Sequence, residues 1–410
     1  LLPALHKRGE RVSIWCGTSV GAINAALFAS LADAPPDVQV EQLISVWKAM
    51  RKRDVIAPIV GRGGARMTLR LLGHAAGLPG VGLASLLDPS PLASSLDRWI
   101  DWQRLDRNVR SGEAEAVCAV ATRLSTGQPV GFVATRREIR SRPDSEIRYV
   151  KTRLRGEHVR ASAAIPVLFP TVEVASPRAA RGHYTDGGTR LNSPIKPAVD
   201  LGAEKVIVIG LEPFRHAPEP AAAARRAPSI ADVAANVLDG LLVDQVAHDL
   251  RRTAAINRFF VESHSTGTLS SSRTYRLARG LAPYRPISYA LVAPRQRGEI
   301  ARLAEATFGR RYGGVRGLRD LDFAILARGL GAGNRSRGEL LSFLLFDPQF
   351  VTALLDMGLR DARRWLRRHP RFWCRDAEHD LETKGVDQER IAEQHALEEF
   401  RARRALRAGA

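Results

Sequence analysis

The chain has 410 residues, enough for two or three domains that each bury a core, and its 45% hydrophobic and 26% charged residues exclude a disordered, collagen-like or coiled-coil protein. Three cysteines, Cys16, Cys118 and Cys374, are too few and too far apart for a disulfide framework or a thiolate metal site, which fits a reducing, cytoplasmic setting. The net charge of +19 brings nucleic acid and anionic membranes into view, but only seven of the 62 basic residues are lysine, a skew that genomic coding composition explains as well as phosphate binding does.

In chain order, residues 1–10 read as the interior of a helix running into a glycine turn. Further residues are therefore expected upstream of Leu1, where any signal peptide would lie. Residues 12–32 carry no charge and could span a bilayer by length. Ser13, Gly17, Thr18, Ser19, Gly21 and Asn24 within them instead predict a strand, a tight turn and a helix stopped by Pro35-Pro36. A second helix is expected over 38–53, then a Gly-rich basic loop or lid over 57–82. Residues 116–122 and 129–134 predict two strands joined by Ser125-Thr126-Gly127-Gln128. Helices follow over 156–164 and 194–202, and an apolar strand over 206–211. This alternation predicts an α/β core whose parallel or mixed sheet is covered on both faces. Residues 216–232 read as a linker, and amphipathic helices dominate beyond about residue 290. The expected organisation is a core over 1–212, linker and peripheral elements over 213–290, and a helical C-terminal extension over 291–410.

Gly17-Thr18-Ser19-Val20-Gly21 fits G-x-S-x-G, and it falls between a predicted strand and a predicted helix, the context this motif needs. The glycines permit a sharp turn that exposes the Ser19 hydroxyl as a candidate nucleophile, and the following helix aims free N–H groups at the same point. The Val20 N–H is the obvious oxyanion donor. A serine needs a base, and none of the ten histidines sits in a motif. His183 lies three residues from Asp186, and His158, His216 and His248 are scattered. Asp186-Gly187-Gly188, taken alone, reads as a surface turn.

Together these segments resemble the patatin-like phospholipases, lipid acyl hydrolases with a Ser-Asp dyad. The resemblance rests on Gly17 to Ala22, on Ala161-Ser162-Ala163-Ala164-Ile165-Pro166-Val167-Leu168-Phe169-Pro170, on Asp186-Gly187-Gly188, and on Asn192-Ser193-Pro194 with Leu201-Gly202-Ala203. They occur in the family's order over residues 1 to about 212. It implies a three-layer α/β/α core, Ser19 as nucleophile and Asp186 as general base, with Gly17, Thr18, Val20, Gly21, Gly187 and Gly188 as their motif neighbours. It further implies a membrane phospholipid or acylglycerol substrate and no metal or organic cofactor. The family's Gly-rich oxyanion loop is not among residues 1–16. The chain thus reads as an active enzyme truncated before that loop, or as a non-catalytic lipid- or membrane-binding relative. An α/β-hydrolase with Ser19, an Asp and a later His is a further enzyme reading. A nucleic-acid partner is not expected, because no recognised binding motif accompanies the charge.

Near the C-terminus, Phe343 to Phe346 precede Asp347-Pro348 and a helical pattern carrying Phe350, Leu354, Met357 and Trp365. Arg360, Arg363, Arg364, Arg367, Arg368 and Arg371 follow a 3-4 spacing and form one stripe. It reads either as the solvated face of a packed helix or as a peripheral contact with an anionic membrane surface.

Overall fold

The computed structural model describes residues 1–58, 85, 87–139, 145–191, 194–213, 257, 273–274, 277–278, 285–312 and 335–374. Most of the loop expected over 57–82, Asn192 and Ser193, the 216–232 linker, His216 and His248 lie outside them, as do residues 313–334 and 375–410 of the expected helical region. The chain divides into two compact units, Leu1–Leu250 with Tyr289–Phe372, and Arg251–Ser288 with Trp373–Ala410. In the second, the Asn257 side chain donates to the Ile287 carbonyl and accepts the Ile287 N–H, each at 2.7 Å.

The first unit opens with α1 (Leu2–His6), β1 (Ile14–Thr18), α2 (Val20–Ser30), α3 (Pro36–Ala49) and α4 (Lys52–Val55). After α5 (Ser90–Trp99) and α6 (Trp102–Ser111) come β2 (Ala116–Arg123), β3 (Pro129–Thr135) and β4 (Arg148–Lys151). Then follow α7 (Gly156–Ser162), β5 (Val172–Val174), β6 (Gly182–Asp186), α8 (Ile195–Asp200) and β7 (Lys205–Ile209). After β8 (Ser288–Val292) the described chain is helical: α9 (Glu299–Tyr312), α10 (Arg335–Leu344) and α11 (Pro348–Arg368).

The main sheet is mixed. β2 and β3 form the expected hairpin, Ala116 opposite Thr135 and Thr122 opposite Pro129, with Gly127 at φ +65° in the turn. β4 adds parallel to β3, while β5 adds antiparallel to β6. The apolar strand expected over 206–211 is β7, but it pairs with β8 in a separate two-stranded sheet. β2 is buried on both faces, as its near-continuous apolar run requires. Val117, Ala119 and Ala121 face a core built with α2, α5, α6 and α7, while Ala116, Cys118 and Val120 face Tyr149 and Leu191 on the other side. Burial along α2 is nearly all-round, which accounts for its Ala-rich sequence. Its C-terminal carbonyls, Ala29 and Ser30, accept from Asn108 Nδ2 at 3.0 and 3.1 Å, so this end carries no orphaned acceptors.

Candidate active site

One edge of β2 builds the site. Its first half pairs in parallel with β1, from Ile14 opposite Ala116 to Thr18 opposite Val120. Its second half pairs antiparallel with β6, from Tyr184 opposite Arg123 to Asp186 opposite Ala121. The two strands run toward each other along the same edge and end on adjacent residues of β2. Ser19 and Asp186, far apart in sequence, therefore leave the sheet at one point.

Ser19 sits between β1 and α2 with φ 54° and ψ −127°, a conformation that a residue with a Cβ adopts only under strain. Its carbonyl accepts the Ala22 N–H at 2.9 Å, which closes the turn. The two glycines of the motif do different work. A Cβ on Gly17 would fall 2.0 Å from the Gly21 carbonyl oxygen, whereas a Cβ on Gly21 would meet nothing within 4 Å. Sharpness thus depends on Gly17 alone. Gly17→Ala is expected to cost about 3 kcal/mol by overpacking against backbone. Gly21→Ala is expected to fold normally and gain up to about 1 kcal/mol of helix propensity. Urea unfolding of the two variants separates them, and equal stability would remove this account of the turn.

Asp186 is fully buried. Its Oδ1 accepts the Gly188 N–H at 2.7 Å, and its Oδ2 has no hydrogen bond of standard geometry. Burial pushes its carboxyl from an ordinary 3.8 to about 6, against the Ser19 hydroxyl and the Gly188 N–H, which both pull it down. Gly187 is required by space: a Cβ there would lie 2.3 Å from the Val120 carbonyl oxygen and 3.0 Å from the Thr18 methyl. The Thr18 hydroxyl is turned away and donates to the Leu191 carbonyl at 3.2 Å.

The segment 161–170 lines the same point. The Ala164 carbonyl accepts the Asp186 N–H and the Thr185 hydroxyl, both at 2.9 Å. Three residues on, Val167 is 63% exposed at φ 68°, an outlier for a β-branched side chain. In the elbow itself Val20 is exposed, at 41%. Of the histidines singled out in the sequence, the two that are described, His158 and His183, do not join the site. His158 is buried in α7, where its Nδ1 accepts the Arg155 N–H and its Nε2 meets the Ser176 carbonyl at 2.8 Å. His183 is exposed, with Thr171 Oγ1 3.5 Å from its Nδ1.

The arginine stripe lies elsewhere. Asp347 caps α11 through the Gln349 and Phe350 N–H groups, and the helix buries Phe350, Val351, Met357 and Trp365. Arg364 pairs with the buried Asp361 at 2.6 Å, while Arg360, Arg363, Arg367, Arg368 and Arg371 are exposed and make no ion pair among the described residues. Arg371 falls past the helix end. Arg8, on the segment leading into β1, donates to the Pro370 and Arg371 carbonyls. The segment just past α11 therefore contacts the turn between α1 and β1. Among the described residues no single helix is long and apolar enough to cross a membrane.

No curated protein matches the chain. Residues 1–199 match the family model described as patatin-like phospholipase, and this part of the chain belongs to that family.

Proposed function

We propose that the protein is a serine hydrolase of lipid acyl esters, in which Asp186 accepts the Ser19 proton as the Ser19 oxygen attacks the ester carbonyl. The alcohol or lysolipid leaves with a proton, and an acyl-enzyme remains. Asp186 then takes a proton from water, which attacks the acyl-enzyme, and returns it to the departing Ser19 oxygen as the fatty acid is released. The Val20 N–H, at the start of α2 and without an intrahelical acceptor, faces the developing oxyanion. The observation that carries this reading is the meeting of β1 and β6 on adjacent residues of β2, with a wholly buried carboxylate and a strained, partly exposed serine at the two strand ends. A pKa of about 6 suits a base that must be ionised yet still basic near neutrality. Val20, exposed and adjacent to Ser19, suits an acyl chain.

Incubation with a fluorophosphonate tests the reading directly. One adduct per chain is expected, on the peptide bearing Ser19, together with turnover of a short-chain ester. Vesicle binding with neither adduct nor turnover would favour the non-catalytic lipid-binding relative instead.

The five exposed arginines support a second, separate reading as a contact for anionic headgroups, since each basic residue near such a surface contributes up to about 1 kcal/mol. Glutamine at these five positions is expected to weaken sedimentation with anionic vesicles at low salt. Turnover of a soluble ester should stay within about twofold, because none of them contacts the site. Sedimentation indifferent to salt, lipid charge and the substitutions would leave α11 as packing alone.

A further inference from the structure

Ser162, the last residue of α7, is fully buried and cannot meet a substrate. Its hydroxyl makes two bonds at once, accepting the Ser19 N–H at 3.0 Å and donating to the Val120 carbonyl at 2.5 Å. Thr18 and Val120 are the last residues paired between β1 and β2. The hydroxyl thus bridges the two strands one step beyond their final pair, where β1 turns away and the ladder would otherwise leave a buried donor and a buried acceptor unmatched. Ser19 is the residue at φ 54°, so its N–H is the handle by which the strained turn is held. The Val120 oxygen at the other end of the bridge is also the atom a Cβ on Gly187 would strike, at 2.3 Å. Elbow, bridge and aspartate turn converge on one carbonyl.

We infer that Ser162 is a positioning residue, which fixes Ser19 in its strained conformation and in line with Asp186 by relaying a hydrogen bond from the Ser19 N–H to the Val120 carbonyl. The inference rests on the reading of Ser19 as nucleophile and adds how it is held. A side chain that only filled the space could not replace it, since the site needs an acceptor and a donor on one atom. Because the Ser19 N–H is committed to Ser162, it does not serve the oxyanion, and of the two elbow amides only that of Val20 is left for it.

Ser162→Ala is expected to lower kcat for a short-chain ester by about 30-fold, within the range a small misplacement of a reacting group produces, with KM changed less than about twofold. The rate of phosphonate labelling at Ser19 should fall in parallel. Ser162→Thr, which keeps the hydroxyl, should recover kcat to within about threefold of wild type. Ser30→Ala serves as the control: Ser30 is also buried, at the far end of α2, with its hydroxyl donating to the Leu27 carbonyl at 2.7 Å, and its loss should lower stability without touching kcat. A folded Ser162→Ala protein with wild-type kcat overturns the inference. So does Ser162→Thr no more active than Ser162→Ala, which would reduce the effect to packing. If Ser162→Ala does not fold, Ser162→Cys takes its place, and a kcat equal to that of Ser162→Thr is then the overturning result. An active Ser19→Ala protein would remove the nucleophile reading itself, whereas unchanged kcat in Ser162→Ala beside an inactive Ser19→Ala removes only this step.

Discussion

Ser19→Ala is expected to abolish ester turnover and leave the fold intact. No neighbouring hydroxyl can stand in: Thr18 donates to Leu191 from a buried position, and Ser162 is buried and bonded on both sides. Loss of a serine nucleophile typically removes many orders of magnitude of rate, so residual turnover should lie well below about a hundredth of wild type. Alanine at φ 54° keeps the backbone strain, and glycine relieves it. Ser19→Gly should therefore be equally inactive yet more stable than Ser19→Ala by about 1 kcal/mol. Initial rates and urea unfolding measure both, on the 410-residue chain and on any form extended by residues encoded upstream of Leu1. Turnover above about a hundredth in Ser19→Ala would end the nucleophile assignment.

Asp186→Asn is expected to be nearly as damaging to activity, because the amide keeps the shape and the Gly188 bond but cannot take a proton. Its effect on stability should be the reverse. Burial raises the carboxyl to about 6, so the folded state favours the protonated form. That contribution is fully present below the unfolded value of 3.8 and is lost as pH rises through about 6. At about pH 8 the buried charge costs about 3 kcal/mol, which the asparagine avoids, and at about pH 4 the two proteins should differ little. Wild-type kcat/KM should rise through an acidic limb near 6 as Asp186 ionises. Thermal unfolding at both pH values checks the crossover. An active Asp186→Asn enzyme would remove the base and return attention to the histidines, of which His183 is exposed and nearest in sequence.

The elbow was legible in the sequence because its information is local. An apolar run, five uncharged residues with two glycines and an Ala-rich helix specify strand, turn and helix within twenty residues. Its partner was legible only by resemblance. Asp186-Gly187-Gly188 alone reads as a turn, and what makes it a site is the Ala121–Asp186 pairing, a matter of sheet register. Helices α5 and α6 went unread for a different reason. The buried stripe of α5 is Leu92, Ser95 and Leu96, and the serine that interrupts its apolar period is buried because it donates to the Asp54 carbonyl at 2.7 Å. Ser162 is concealed in the same way, as a polar residue at the end of a short helix whose bonding partners, Ser19 and Val120, lie elsewhere in the chain. β7 was found as a strand, but its partner β8 lies about eighty residues on, beyond the reach of pattern reading.

Because β1 and β6 share one edge of β2, the order in which the chain closes has a bearing on solubility. The β2–β3 hairpin is local and needs little loop closure, while each strand on the other edge is brought in from more than fifty residues away. Until both have docked, β2 presents an open, apolar edge with unpaired N–H and carbonyl groups, the kind of template on which chains associate. The last event that completes the Ser19–Asp186 pair is also the one that covers this edge. If Ser19 and Asp186 act as proposed, a chain in which β6 has not docked would lack the pair and expose the edge of β2 at the same time.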